Sequence, residues 1–262
     1  MAQAPFVEID HVSKSFDGGR SFAVHETTLR VDAGTFVAVV GASGSGKTTT
    51  LKFINRLIEP DSGEVRIEGE PVADVDALAL RRRIGYVFQG IGLFPHMKVG
   101  ENIGITPQLL GWPEREIARR VHELLDLVSL PQDYAARFPA QLSGGERQRV
   151  SVARAIAARP RLVLMDEPFG ALDPLTRDAI GTAYRALHDK LGLTTIMVTH
   201  DVQEAVLLAD RIVVMKAGRI LADDTPRMLM TQSSPEVAAL MAMPKRQADR
   251  IRTIMDGTNV HG

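Results

Sequence analysis

The chain has 262 residues, with 31 lysines and arginines set against 32 aspartates and glutamates, and no cysteine. The near-neutral balance excludes a chain-wide positive field for holding nucleic acid. The missing thiols exclude disulfides and thiolate metal sites. A chain of this length buries enough surface for a full α/β core, as one domain with a subdomain.

The first ten residues, Met1 to Asp10, lack the basic and long apolar regions of a signal peptide. No run of 18 apolar residues appears, so any membrane role is expected to come through a partner. Phe6 to Arg30 alternates around a turn at Asp17-Gly18-Gly19, which predicts antiparallel strands. Phe36 to Val40 is a short apolar strand, and Gly41-Ala42-Ser43-Gly44-Ser45-Gly46-Lys47-Thr48 follows it. These eight residues fit G-x-x-x-x-G-K-[ST], with a helix predicted from Thr49 to Leu57. In such a loop small residues let several backbone N–H groups point at one anion, and the following helix adds the positive end of its dipole. Lys47 would then reach the β- and γ-phosphates, and Thr48 would offer its hydroxyl to Mg²⁺.

Glu64–Ile67 and Ile84–Phe88 read as further strands, the second ending at Gln89. From about residue 90 to 150 a helical insert is expected. Within it Ile117, Val121, Leu124, Leu125 and Val128 share one face of a helix over Pro113–Val128. Leu142-Ser143-Gly144-Gly145-Glu146 closes the insert. Ser143 and Glu146 form a capping box for a helix running to Ala158, and a capped helix start among small residues is itself an anion site. Its distance in sequence from the lysine loop suggests that it serves a nucleotide held by a second copy.

Strands and helices then alternate: Arg161–Met165, a helix over Pro174–Leu191, and Thr194–Thr199. Such alternation implies parallel strands with helical crossovers. Asp166 and Glu167 end the first of these strands, where ligand sites of parallel sheets lie. Asp166 would hold the Mg²⁺ shell. Glu167, one residue on, would orient or deprotonate an attacking water. Ile212–Met215 and Arg219–Ala222 close the fold around Ala217-Gly218, and the last forty or so residues are weakly helical with breaks at Pro235 and Pro244. The basic stripe of Lys245, Arg246, Arg250 and Arg252 reads as a solvated helix face, with lipid head groups as the alternative.

Taken together, P-loop, Gln89, LSGGE, Asp166-Glu167, Ala171-Leu172-Asp173 and His200 occur in the order found in the nucleotide-binding subunits of ATP-binding cassette (ABC) transporters. The chain resembles that family over about residues 6–240. The resemblance implies an α/β fold: a P-loop NTPase (RecA-like) core with an antiparallel β subdomain and the inserted helical subdomain. It divides the chain into an ATPase domain over 1–240 and a short C-terminal extension over 241–262. It further implies ATP and Mg²⁺ as ligands. Gly41, Ser43, Gly44, Ser45, Gly46, Lys47, Thr48 and Thr49 would cradle the phosphates, and Phe16 would stack on adenine, its alternative being a core position. Gln89 would bridge Mg²⁺ and water beside Thr48 and Asp166. Glu167, His200, Gln89 and Lys47 would carry catalysis. Ser143, Gly144 and Gly145 would reach the γ-phosphate of a second copy, with Asp173 at the seam.

The family pattern also implies membrane permease subunits as partners, with an extracellular or periplasmic solute-binding protein acting through them, and a place at the cytoplasmic face of the membrane. Residues Gly90 to Met97 would form the socket for the permease. That stretch, with Glu101-Asn102-Ile103 and Leu109-Leu110-Gly111-Trp112, is similar to importers of quaternary-ammonium osmoprotectants such as glycine betaine, carnitine and choline. Importers of amino acids, sulfonates or phosphonates are the alternative. Many osmoprotectant members continue into paired cystathionine-synthase-type domains, for which a chain ending at Gly262 leaves no room, so regulation by that route is not expected. DNA-acting relatives carry a long coiled coil between P-loop and LSGGE, and ribosome-acting ones carry tandem cassettes. This sequence shows neither sustained heptads nor a second cassette, so no nucleic-acid partner is expected. Intact Lys47, Glu167 and His200 argue against a cassette that only binds.

Overall fold

A computed structural model describes residues 4–255 apart from 91, 171 and 233, and leaves the side chains of 232, 245 and 247 undescribed. Ala171 and Ile91 of the motifs above, and the side chain of Lys245, therefore lie outside the described residues. In chain order the N-terminal part is β1 (Val7–Lys14), β2 (Val24–Val31), β3 (Phe36–Val40), α1 (Lys47–Ile54), β4 (Ser62–Ile67), β5 (Glu70–Pro71), α2 (Ala77–Arg83) and β6 (Ile84–Val87). Next come α3 (Val99–Leu109), α4 (Glu114–Leu127), two 3₁₀ turns (Gln132–Ala136 and Pro139–Gln141) and α5 (Gly144–Ile156). The chain continues with β7 (Leu162–Asp166), α6 (Pro174–Leu191), β8 (Thr194–Thr199), α7 (Val202–Leu208), β9 (Arg211–Lys216) and β10 (Arg219–Asp224). It ends in α8 (Pro226–Gln232), α9 (Pro235–Met241) and α10 (Met243–Met255).

Two sheets result. One runs β10-β9-β3-β8-β7-β6, with β9, β3, β8, β7 and β6 parallel and β10 antiparallel at the edge. The other is the antiparallel set β2-β1-β4-β5. All five residues of β3 are buried, as a central parallel strand covered on both faces requires. Its alternation separates two cores. Phe36, Ala38 and Val40 face the helical side with α5, α6 and α7, whereas Val37 and Val39 face α1 and the antiparallel sheet. Each of these buried valines and the phenylalanine contributes about 1.5–3 kcal/mol. This gives β3, and the loop that follows it, a fixed platform.

The helical insert is α3, α4 and the start of α5. On α4, Val121, Leu124 and Leu125 are buried with Val128 just beyond, and Ile117 packs at the edge of the same core. Where α3 crosses α4, a Cβ on Gly104 would lie 2.7 Å from Ile117 Cγ2. The far end of α5 leaves the insert and lies on β6, where a Cβ on Gly85 would come within 2.4 Å of the Ala155 carbonyl.

Some predicted bounds shift for local reasons. The helix after the loop runs from Lys47 to Ile54, not from Thr49 to Leu57. Gly46 turns the chain in the left-handed region at φ 99° so that Lys47 is already helical, and Arg56 at φ 53° ends it. Phe88 lies beyond the end of β6. Pro235 and Pro244 are the first and second residues of α9 and α10. The breaks between α8, α9 and α10 fall at these prolines as expected, and each proline sits in the first turn of the next helix, where it has no N–H partner to lose. Glu70–Pro71 forms the two-residue strand β5.

Candidate nucleotide site

The loop from Gly41 to Thr48 is pressed between three strands' ends. A Cβ on Gly46 would sit 2.3 Å from the Ala23 carbonyl, and one on Gly41 would sit 2.2 Å from the Met215 carbonyl and 2.7 Å from Ser45 Oγ. Only glycine fits such approaches. From behind, Gly218 of the β9–β10 turn donates its N–H to Ser45 O (3.1 Å) and accepts on its carbonyl from His25 N (2.8 Å) and Thr27 Oγ1 (3.0 Å). The antiparallel sheet is thereby tied to the back of the loop.

Inside the loop, Lys47 is buried and its Nζ donates to the carbonyls of Gly41 and Ala42, both at 2.9 Å. Burial pushes its amine below the ordinary lysine range, while Glu167 and Asp166 pull it back. Thr48 Oγ1 donates to Asp166 Oδ1 at 2.9 Å, joining the start of α1 to the end of β7. Asp166 is buried and pushed upward by desolvation. The Thr48 bond and the charges of Lys52 and Lys47 oppose that, and the charge of Glu167 adds to it. The Ser45 hydroxyl is buried without a partner among the described residues. An orphaned donor inside a loop of glycines, next to a lysine, fits a phosphate. A threonine hydroxyl against a carboxylate is the hard-oxygen donor set that suits Mg²⁺. Among the described residues no group of three or more His, Cys, Asp or Glu could hold a metal alone, so such an ion would need phosphate oxygens as well.

Beyond the strand ends three side chains meet. Gln89 Nε2 donates to Glu167 Oε2 at 3.2 Å, and His200 Nδ1 lies 3.3 Å from Glu167 Oε1. Glu167 is held at φ 46°, a left-handed conformation that costs a non-glycine residue of order 1 kcal/mol. Its N–H still reaches Val198 O at 2.8 Å. That bend turns Glu167 out of the β7 direction, away from the side taken by Asp166.

The LSGGE residues lie elsewhere. Ser143 caps α5, with its N–H on Glu146 Oε2 (2.7 Å) and its Oγ accepting from Glu146 N (3.3 Å). Tyr134 holds the other Glu146 oxygen at 2.9 Å. These bonds, the Ser143 amide first, keep the Glu146 carboxyl below its ordinary range. A surface groove here is lined by Ser143, Gly144, Gly145, Arg149, Asp173 and Thr176 among others, and by no residue of the lysine loop. A Cβ on Gly145 would lie 2.7 Å from Thr176 Cγ2, so a larger residue there would require the Thr176 side chain to move. Asp173 caps α6 through Thr176 N at 3.0 Å, and its neighbour Leu175 is 85% exposed. Phe16 is also exposed, at 64%, with Lys14 Nζ 5.8 Å from its ring centroid.

After Gln89 the chain forms a loop that other elements shape. Arg154 of α5 donates Nη1 to Gly92 O at 2.8 Å. Asn102 of α3, fully buried, accepts from Phe94 N at 2.8 Å and donates toward the carbonyls of Phe94, Met97 and Lys98. Beside the loop runs an open apolar groove lined by Tyr86, Phe88, Phe94, Ile105 and Leu109, among others. The sequence points to Gly90–Met97 and to Glu101-Asn102-Ile103, but not to the groove residues Tyr86 and Ile105 or to the bracing roles of Asn102 and Arg154. Nor does it point to Arg177 or Asp201. Only Asp201 left a signal, as a helix-capping residue just after His200.

The family model described as ABC transporter matches residues 24–170. The chain belongs to the ABC transporter family. Among ABC relatives, it is 50% identical over 228 residues to the choline transport ATP-binding protein OpuBA of Bacillus subtilis (strain 168), covering 87% of this chain and 60% of that one. It is 48% identical over 226 residues to the glycine betaine uptake system ATP-binding protein YehX of Escherichia coli (strain K12), covering 86% and 73%. The chain spans about 60% of the length of the first curated relatives it matches. Its fold matches a dimeric, post-hydrolysis structure of the ATP-binding cassette MJ0796 bound to ADP and Pi. That match has a TM-score of 0.76 and 34% identity, over 84% of this chain and 98% of that one. The P-loop NTPase core, the β subdomain and the helical insert are thus those of an ABC cassette.

Proposed function

We propose that this chain is the ATP-hydrolysing subunit of an ABC importer for a small quaternary-ammonium osmoprotectant such as glycine betaine or choline. One observation carries the half-site reading: the lysine loop and the Ser143–Gly145 groove share no lining residue. Each would bind one side of a triphosphate, and the second side would come from another copy. The exposed Leu175 beside Asp173 suits the seam between copies. On this reading the chain divides into an ATPase domain over 1–240, with the helices at about 90–150 carrying the clasp, and a short extension over 241–262.

In the proposed reaction a water oxygen attacks the γ-phosphorus, the bond to the leaving ADP oxygen breaks, and the water's proton passes to Glu167. Gln89 and His200 hold the two oxygens of Glu167. Lys47 and His200 would stabilise charge on the transferring phosphoryl group. Phe16 would stack on the base, and the backbone from Gly41 to Thr49 would hold the phosphates. Mg²⁺, held by Thr48, Asp166 and Gln89, would neutralise phosphate charge. The apolar groove beside Phe94 would seat the permease. No helix among the described residues is long and apolar enough to cross a membrane. The subunit would work at the cytoplasmic face through that permease, fed by a solute-binding protein. The relatives' names support the cargo class.

Glu167→Gln tests the reading. The variant is expected to bind ATP with wild-type affinity, to lose about 10²–10³ in kcat, and to persist as an ATP-bound dimer in light scattering. Near-wild-type turnover would remove Glu167 from its role. In vesicles holding chain and permease, hydrolysis stimulated by a binding protein loaded with sulfate but not with glycine betaine would overturn the cargo.

A further inference from the structure

We propose that Arg177 is the positioning residue that sets His200 against Glu167 and ties it to the turn carrying Asp173; this rests on the reading above. The backbone pairing of β7 and β8 ends at Glu167 N–H to Val198 O. Past that bond two turns leave the sheet, one through Leu172 to Asp173 and one through His200 and Asp201. An arginine side chain bridges them. Arg177, in the first turns of α6, donates Nη1 to Asp201 Oδ2 at 2.9 Å and Nη2 to the Leu172 carbonyl at 3.1 Å.

Asp201 is fixed on all sides. Its Oδ1 caps α7 through Gln203 N (2.9 Å) and Glu204 N (3.2 Å), its own N–H donates to Thr199 Oγ1 (3.0 Å), and Arg177 takes the remaining oxygen. His200 lies between Thr199 and Asp201, and its side chain is 62% exposed. Little packing orients the ring, so its aim at Glu167 depends on the backbone those bonds hold. On the other turn, Leu172 immediately precedes Asp173. The planar guanidinium reaches both turns at once, a geometry that an ammonium point charge cannot copy.

The pair is about a third exposed on each side, at 31% and 31%. Ion pairs of that kind add little to stability. Its value therefore lies in where it holds two loops, and that distinguishes positioning from structural support.

The test uses the full chain and four variants: Arg177→Met, Arg177→Lys, His200→Ala and the Arg177→Met/His200→Ala double. Arg177→Met is expected to lower kcat about 10–100-fold, with KM for ATP within about threefold and thermal midpoint little changed. Arg177→Lys, which keeps only one of the two contacts, falls between. In the His200→Ala background, Arg177→Met is expected to cost nothing further, since it acts through His200. A kcat within about twofold of wild type for Arg177→Met, or the same fold-loss in both backgrounds, overturns the proposal. Should Arg177→Met not fold, Asp201→Asn, which keeps a capping side chain but weakens the Arg177 bond, faces the same criteria. Wild-type turnover by His200→Ala would instead remove His200 from the site and overturn the underlying reading, this inference included.

Discussion

Replacing Glu204 by glutamine should make the protein more stable at alkaline pH. Glu204 lies in the first turn of α7, is 8% exposed, and has its Oε1 buried without a partner among the described residues. Burial pushes its carboxyl up from 4.5 to about 7, and the charge of Asp201 adds to this. Thr199, Arg177 and His200 oppose it. Between those two values the native state holds a proton that the unfolded chain has released. Stability from this group is therefore complete below about pH 4.5 and lost as pH rises through about 7. A shift of that size corresponds to ~3 kcal/mol, at 1.36 kcal/mol per unit. Glutamine keeps the volume and never ionises. Urea unfolding followed by circular dichroism at pH 4, 5, 6, 7 and 8 should show the two proteins converging toward pH 4. By pH 8 the variant should be ahead by up to about 3 kcal/mol. All other titrating groups are common to both, so the difference curve isolates Glu204. A flat difference across that range, or a gain confined to acid pH, would refute the reasoning.

Phe16→Ala should weaken ATP binding about 5–100-fold, the range for loss of one base–aromatic stack. Its ring is exposed, so the melting temperature should stay put; unchanged nucleotide affinity by fluorescence titration would take Phe16 out of the site. Gly85→Ala drives a methyl to 2.4 Å from the Ala155 carbonyl. Overpacking of this kind costs about 1–3 kcal/mol, a fall of several degrees in thermal midpoint that calorimetry would detect; no fall would mean that α5 does not lie so close on β6.

Legibility in the sequence followed the strength of local signals. The bounds of α6 and β8 match the predicted ones residue for residue. Asp173 and Pro174 start that helix, Gly192 at φ 60° stops it, and a run of β-branched and apolar residues follows. The α4 stripe was equally plain. By contrast α3 holds Gly100, Gly104, Thr106 and Pro107, a poor helix by propensity, and it exists because its buried face packs on α4 and α5. The seven-residue helices α2 and α7 are too short for periodicity to reveal. The site motifs were readable because each is a contiguous string. The Arg177–Asp201–Leu172 bridge was not, since its members are brought together only by the adjacency of two parallel strand ends. The same holds for Asn102, whose buried amide shapes a loop eight residues earlier.

One helix connects the separated parts of the site. The first residues of α5 form the Ser143–Gly145 clasp, its Arg154 grips Gly92 in the loop after Gln89, and its Ala155 carbonyl rests against Gly85 of β6. Arg154 is buried, and desolvation lowers its guanidinium toward the neutral form. Yet an arginine stays charged in proteins, so it holds its carbonyl partner at the expense of lost hydration. The Phe88 and Phe94 rings lie 6.0 and 5.8 Å from its guanidinium carbon. The clasp, the Gln89 loop and the apolar groove beside Phe94 are therefore attached to one rigid rod. Any rotation of α5 that moves Ser143 relative to a second copy must also shift Gly92 and the groove wall. Glu167 is anchored to β8 through Val198. Its bond to Gln89 at 3.2 Å links its carboxylate to the loop that Arg154 grips, across the paired ends of β6 and β7.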